Sequence, residues 1–264
     1  MSLHETFVRR ELLWNLTLRE LRTRYRKSLL GWTWSLLNPL STMIIFTIVF
    51  KEIFAQPDIV GSPSGLKTYP LYLLSGLLPW TFFTTTVSVS MGAVLGGSSL
   101  IRRVAFPHES LVVSSALSLG VSLAIEMSVL SVALLIAGSM VLPWLAPLVL
   151  VLALLMIFSV GIGLVLSALN VFFRDVGYLW SILTQAWFYM TPIVYALTTV
   201  PGWLAKIAGY QPMGCFVVVI HNLVFDLRWP QPARWIYLIV VSFTSLAFGQ
   251  WVFKRYSPRF AEEM

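Results

Sequence analysis

The sequence predicts an all-α membrane protein of six transmembrane helices, with an N-terminal amphipathic helix and a re-entrant external segment before the last span. Three observations predict it. Of the 264 residues, 58% are hydrophobic and only 11% charged, where a soluble domain carries about 25% charged residues. The mean hydropathy is +0.82. The apolar residues also fall in runs long enough to cross a bilayer. A chain so poor in charge cannot cover itself in water, which excludes a soluble enzyme, a nucleic-acid-binding domain and a disordered protein. The net charge of +7 therefore speaks to orientation rather than to nucleic acid. The single cysteine, Cys215, makes no disulfide framework and leaves the redox compartment open.

Residues 1–28 read as a membrane-surface helix. Leu3, Phe7, Trp14, Leu18, Leu21 and Tyr25 recur at sevens, fours and threes on one stripe, and Asn15, Arg19, Arg22 and Arg26 follow one residue on. The stripe suits the acyl boundary and the arginines suit anionic head groups. Such a helix either orients the first span or lies at the mouth of a pathway and touches a partner. The runs 29–50, 71–100, 110–142, 143–173 and 176–205 follow, and 235–253 closes the series. As one domain over 1–264, the chain divides into spans one to five within 29–198, an external region 199–230, span six at 231–254 and a tail 255–264.

The run 207–225 is interrupted by Pro212 and Gly214, and charge decides its reading. With six spans, one side holds Arg9, Arg10, Arg19, Arg22, Arg24, Arg26, Lys27, Arg102, Arg103, Arg174, Lys254, Arg255 and Arg259. The other keeps Lys51, Lys67, Lys206, Arg228 and Arg234. The positive-inside rule then makes both termini cytoplasmic, and 207–225 dips in from the outer face without crossing. The first run is too long, and its basic lead too extended, for a cleavable signal peptide.

Glu126 falls in the middle of the third run, where an acid costs about 2.5–3.5 kcal/mol on insertion scales. No spanning Asp, Lys or Arg accompanies it, so a hydrogen bond to a neighbouring helix is expected rather than a proton relay. The first span carries Gly31, Ser35, Asn38, Thr42 and Phe46 on one helical stripe, and the fifth carries Trp180, Thr184, Trp187, Thr191 and Tyr195 at the same spacing. Aromatic faces stack on sugar rings and hydroxyls exchange hydrogen bonds, so these stripes suit a pathway for an amphipathic polymer. They suit helix packing equally. Trp32, Trp34, Tyr69, Tyr72 and Trp80 lie near span ends and read as interfacial belt residues. Gly92 and Gly96 form a GxxxG packing motif.

Nothing in the chain reads as a site for chemistry. His4, His108 and His221 are far apart, so no metal site is expected. The run Gly61 to Thr68 has one residue too many for a phosphate-binding loop and lies in the external loop. No catalytic residue, metal or cofactor is expected here, and uphill work would need a partner.

Several segments together resemble one family. Arg24-Tyr-Arg-Lys-Ser-Leu-Leu-Gly-Trp-Thr-Trp-Ser-Leu-Leu-Asn-Pro39 is similar to the entry of the first span in ABC-2 type permeases that export polysaccharides and polyol phosphates. Arg102-Arg-Val-Ala-Phe-Pro107 resembles the segment between that family's second and third spans. Asn170-Val-Phe-Phe-Arg-Asp-Val176, followed by Tyr189-Met-Thr-Pro-Ile-Val-Tyr195, resembles its fourth-to-fifth-span signature. The resemblance implies a half-channel that pairs as a homodimer. Each copy would dock a separate cytoplasmic ATPase subunit, which binds ATP and magnesium. It further implies an interface helix bearing Trp14, Arg19, Arg22 and Arg26. The coupling surface would comprise Arg102, Arg103, Phe106, Pro107, His108 and Glu109, with Arg174 and Asp175 nearby. Residues 203–225 would be the gate helices.

The implied cargo is a lipid-linked polysaccharide of O-antigen, teichoic acid or cell-wall galactan type, moved across a bacterial cytoplasmic (inner) membrane amid its lipids, with no nucleic acid involved. Competing readings are an exporter of a lipid or small amphiphile, a membrane-embedded glycosyl- or acyltransferase, and a scaffold.

Overall fold

The computed structural model describes residues 3–25, 33–53, 59–97 and 106–260. They form α1 (Leu3–Tyr25), α2 (Thr33–Thr47, prolonged by a π-helical turn, Ile48–Ile53), α3 (Tyr69–Gly96), α4 (Glu109–Ile136), α5 (Leu145–Phe172), α6 (Val176–Met190), α7 (Gly202–Tyr210), α8 (Pro212–His221, prolonged by the π turn Asn222–Asp226) and α9 (Pro232–Tyr256). No strand occurs among the described residues. The segments Leu36–Ile53, Tyr69–Gly96, Glu109–Ile136, Leu142–Phe172 and Pro232–Arg259 are each long and apolar enough to cross a bilayer.

Helix α5 packs most extensively against α9, and α3 lies against α5 and α4. The α5–α9 contact is close because both helices lack a side chain where they meet. A Cβ on Gly249 would stand 2.3 Å from the Gly161 carbonyl oxygen, and one on Gly161 would stand 2.3 Å from Ser245 Oγ. Ser245 Oγ donates across the same interface to the Phe158 carbonyl at 3.2 Å. Asn170 Nδ2 donates from α5 to the Met91 carbonyl of α3 at 3.0 Å. Five hydroxyls of α4 are satisfied within the helix itself. Ser114, Ser115, Ser118, Ser128 and Ser131 each donate to a carbonyl of their own helix at 2.7–3.0 Å, which spares the apolar surroundings an unpaired donor.

The bundle has two ends. At the basic end, α1 meets the start of α4 and the end of α3, and the ends of α5 and α9 meet the residues before α4. The opposite end gathers segments 59–68 and 191–228. There the fifth span departs from the helix expected over 176–205. Helix α6 stops at Met190, and its 15 residues rise about 22 Å, short of the roughly 30 Å hydrocarbon core. Pro192 is the physical reason: it donates no hydrogen bond and drives the residue before it out of the helical region, as Thr191 shows with φ −91° and ψ 133°. The chain runs on extended, held where Tyr69 Oη donates to the Val194 carbonyl and Tyr72 Oη to the Tyr195 carbonyl, both at 3.0 Å.

The next two helices turn back into the bundle. Gly202–Tyr210 and Pro212–Asp226 are bent by 94° at a short break. Pro212 opens α8 where a missing N–H costs nothing. Gly214 lets the two arms touch: its Cβ would fall 1.7 Å from the Ala208 carbonyl oxygen. The Phe216 ring lies 5.7 Å from that of Phe158, midway along α5, while residues 225–226 return to Ser64 and Ser62. Residues 194–195 and 225–226 thus lie at the same end of the bundle, the geometry of a re-entrant pair.

Three expectations about packing need correcting. Helix α1 buries Leu16 and Thr17 and leaves Trp14 64% exposed, because α1 packs on α4 and a helix neighbour selects a different face from the bilayer alone. Tyr69, Tyr72 and Trp80 are core residues, 3%, 5% and 6% exposed, rather than a belt; Trp34 remains exposed. A Cβ on Gly92 or Gly96 would meet nothing within 4 Å. Among the described residues their GxxxG packs against no helix but lines a cleft of about 310 Å³ beneath Leu16, Arg19 and Glu20 of α1.

Candidate substrate pathway and coupling surface

Helices α2, α3 and α6 frame an open groove of about 320 Å³, lined by Phe46, Trp80, Thr84, Ser181, Thr184, Gln185, Phe188 and Tyr189. Its rings form a connected wall, with Phe46 at 5.7 Å from Phe188 and Trp80 edge-on to Phe188 at 5.7 Å. Between the rings stand hydroxyls and one amide. Thr184 Oγ1 donates to the Trp180 carbonyl at 2.9 Å, which leaves its lone pairs for an outside donor. The arrangement offers stacking faces and hydrogen-bonding groups side by side.

The expected lining residues divide sharply. Phe46 and Thr184 reach the groove. Asn38 is exposed on α2, and its carbonyl accepts from Thr42 Oγ1 at 3.0 Å. Ser35 belongs to α2, but its side chain lies outside the described residues. Trp180 and Thr191 are buried inside the protomer, at 7% and 0% exposure. Trp180 Nε1 donates to Ser88 Oγ of α3 at 3.1 Å, and Tyr195 Oη donates to the Met190 carbonyl at 3.2 Å. Trp187 Nε1 donates to Gln211 Oε1 at 2.5 Å, and Gln211 Nε2 donates on to Thr191 Oγ1 at 2.9 Å. Trp180, Trp187 and Thr191 brace the fifth span against α3 and the re-entrant pair, while Tyr195 bonds back to the end of α6. Sequence reasoning missed Thr84 on α3 and Ser181, Gln185, Phe188 and Tyr189 on α6, and gave Trp80 to the interfacial belt. The signal was present, since 181, 184, 185 and 188 are themselves a helical stripe, but the heavier aromatic stripe on the other face drew the choice.

The Gln211 node yields a stability prediction. Leucine at Gln211 strands the Trp187 N–H without an acceptor, at a cost of about 1–3 kcal/mol. The unfolding midpoint in detergent should fall accordingly. An unchanged midpoint would mean that the node carries no weight.

At the basic end, Phe106, Pro107 and His108 lead into α4, and Glu109 occupies its first turn, where a carboxylate favours the helix dipole. Arg102, Arg103 and Arg26 lie outside the described residues. The Phe106 ring is edge-on to His108 at 5.5 Å, and His108 stacks on Phe260 of the C-terminal tail at 6.4 Å. Phe260 is fully buried and also meets Phe172 at 6.2 Å and Phe253 at 5.3 Å. One tail residue thereby ties the segment before α4 to the ends of α5 and α9, a role nothing in the sequence reading assigned. Burial pushes the His108 imidazole below its usual range, against the opposing pull of Glu109. Arg174 and Asp175 are exposed in the turn between α5 and α6, and Arg19 and Arg22 are exposed on α1.

Glu126 is half-buried on α4 and has no hydrogen bond or ion pair among the described residues, which corrects the expected bond to a neighbouring helix. Ser114, Ser115, Ser118, Ser128 and Ser131 bond within their own helix, and among the described residues no donor from another helix reaches the carboxyl.

Comparison with known proteins places this geometry in a family. Residues 11–225 match the ABC-2 type transporter pattern. The chain is 27% identical over 256 residues to the O-antigen export system permease protein RfbA of Klebsiella pneumoniae, covering 96% of this chain and 94% of that one. It is 28% identical over 272 residues to the RfbA permease of Myxococcus xanthus, covering 98% of each. The polysialic acid transport protein KpsM of Escherichia coli is 27% identical over 189 residues, 70% of each chain.

Proposed function

The chain belongs to the ABC-2 type transporter family, and from that premise we propose that it is the permease subunit of an ATP-driven exporter of a lipid-linked polysaccharide in a bacterial inner membrane. The observation that carries this reading is the groove of Phe46, Trp80, Thr84, Ser181, Thr184, Gln185, Phe188 and Tyr189. Rings and hydroxyls stand side by side there, which suits a sugar polymer, since each pyranose offers an apolar face and a polar rim. A groove for a lipid alone would need no amide or hydroxyls. The names of the curated relatives, permeases for O-antigen and polysialic acid, point the same way. Teichoic acid and galactan fit the same chemistry.

Two copies would set their grooves face to face as a homodimer, completing a pathway that one copy leaves open along α2 and α6. The basic end is then cytoplasmic, as are both termini. There the exposed Arg19, Arg22 and Trp14 of α1, the segment Phe106 to Glu109 and the Arg174–Asp175 turn would receive a separate ATPase subunit. That partner binds ATP and magnesium. Nucleotide-driven closure of the partner favours one permease state over another, and that differential affinity is the whole of the drive.

The reading is tested by affinity purification from native membranes with mass spectrometry. An ATPase in near-equal amount together with a lipid-linked glycan is the expected result. A homo-oligomer without a nucleotide-binding companion would overturn it, and a co-purified lipid without a glycan would shift the cargo. Within the complex, His108→Gln with Glu109→Gln should leave basal ATP hydrolysis in place and cut export per ATP by about tenfold, the loss of roughly 1.4 kcal/mol of coupling. Wild-type export by that variant would remove the segment from the coupling surface.

A further inference from the structure

The end opposite the coupling surface holds a second cavity, of about 370 Å³, that the pathway does not use. It opens between segment 59–62, the first turn of α3, segment 192–199 and the end of α8, and its volume falls within the range of small-molecule sites. Its polar wall is built rather than incidental. Arg228 donates from Nε at 2.9 Å and from Nη2 at 2.8 Å to the Oδ1 of Asn222, itself buried. The same Nη2 lies 3.2 Å from Asp226 Oδ2. Asp226 Oδ1 accepts in turn from the Ser62 backbone N–H at 3.1 Å. Leu227, between the two charged residues, has φ 58° and ψ 42°, a left-handed conformation that a branched side chain rarely adopts. Such strain persists where the surroundings over-determine it, and here it lets Arg228 fold back on Asn222, with its backbone N–H donating to the Asn222 carbonyl at 2.8 Å.

The clasp fixes the guanidinium plane and leaves the Nη1 hydrogens without a protein acceptor among the described residues. On the facing segment Thr198 and Thr199 are exposed, and Thr199 spends only its proton, on the Ala196 carbonyl. Tyr72, stacked on His221 at 4.0 Å, supplies an aromatic wall. The cavity therefore combines oriented donors, acceptors and a ring. Arg228 and Asp226 cancel in charge, so nothing in the wall favours an anion over a neutral polyol. We propose that this cavity binds an uncharged sugar unit of the exported glycan at the outer end of the permease. The inference rests on the export reading above and adds to it an exit subsite separate from the groove.

The test uses the purified permease–ATPase complex in nanodiscs. The probe is glycan released by mild acid from the host's own lipid-linked polymer, and binding is read by saturation-transfer NMR and calorimetry. Saturable binding should weaken about fivefold in Thr198→Val with Thr199→Val, the weight of about one hydrogen bond, and disappear in Arg228→Met. The threonine pair stands on the exposed segment and leaves the clasp intact, so its result stands even if Arg228→Met fails to fold. Absent binding, or binding unmoved by the threonine pair, overturns the subsite. Tighter binding of glucuronate or inorganic phosphate overturns the neutral-sugar assignment. Export is measured in parallel in cells lacking the chain. If polymer still reaches the surface there, the export reading falls; if export needs the chain while binding is absent, only the subsite falls.

Discussion

Alanine at Gly249 should cost the protein its fold. The added Cβ would stand 2.3 Å from the Gly161 carbonyl oxygen, 3.0 Å from its carbon and 3.1 Å from its Cα. All three atoms are backbone, so no rotamer change relieves the overlap. Helices α5 and α9 would have to separate along the most extensive helix contact among the described residues, stretching the Ser245 to Phe158 hydrogen bond as they part. Overpacking a well-filled interior costs about 1–3 kcal/mol, more where backbone must move, and this site belongs at the top of that range. The expected result is a large fall in detergent-extracted yield and in unfolding midpoint. Gly177→Ala and Gly202→Ala are the matched controls, since a Cβ there meets nothing within 4 Å. A midpoint for Gly249→Ala equal to theirs would refute the close approach of α5 and α9.

Alanine at Gly214 should do the reverse, keeping the protein and removing transport. Its Cβ would fall 1.7 Å from the Ala208 carbonyl oxygen and 2.8 Å from Gln211 Nε2, so α7 and α8 cannot keep their 94° bend. The affected contacts lie within the re-entrant pair, while the α3–α5–α9 packing is untouched. Residue 214 also sits beside Gln211, whose bonds to Trp187 and Thr191 fasten the pair to α6. Opening the bend would release that fastening. The expected result is near-normal membrane abundance with polymer export reduced by an order of magnitude or more, read by surface glycan staining against chain abundance. Normal export at normal abundance would show that the bend has no part in transport.

Hydropathy made the spans legible because lipid imposes one simple demand, and the helices Tyr69–Gly96, Glu109–Ile136, Leu145–Phe172 and Pro232–Tyr256 lie where the apolar runs placed them. It hid the break after Met190, since Ile193, Val194 and Ala196 are as apolar in extended form as in a helix. Pro192 was the sign, and composition outweighed it. Side-chain direction was the harder part. Trp180 and Trp187 mark a real stripe, but periodicity says only that residues share a face, never which neighbour the face meets. The structure turns that face toward α3 and Gln211 and gives the groove to Ser181, Gln185 and Phe188. Phe260 could have been suspected, as a lone aromatic in a tail of Ser257, Pro258, Arg259, Ala261 and Glu262. Two of its three ring partners, His108 and Phe172, come from distant parts of the chain, and no local pattern foretells them.

The serines of α4 have a mechanical consequence. Where α9 grips α5 through Ser245 and where α5 grips α3 through Asn170, a hydrogen bond crosses the interface, and sliding one helix past the other must break it. Ser114, Ser115, Ser118, Ser128 and Ser131 have already spent their protons on their own helix. They travel with it, bonds intact, whatever α4 slides against. The hydroxyls of these five serines, on the helix that begins at Glu109, thus act as a bearing surface rather than a latch.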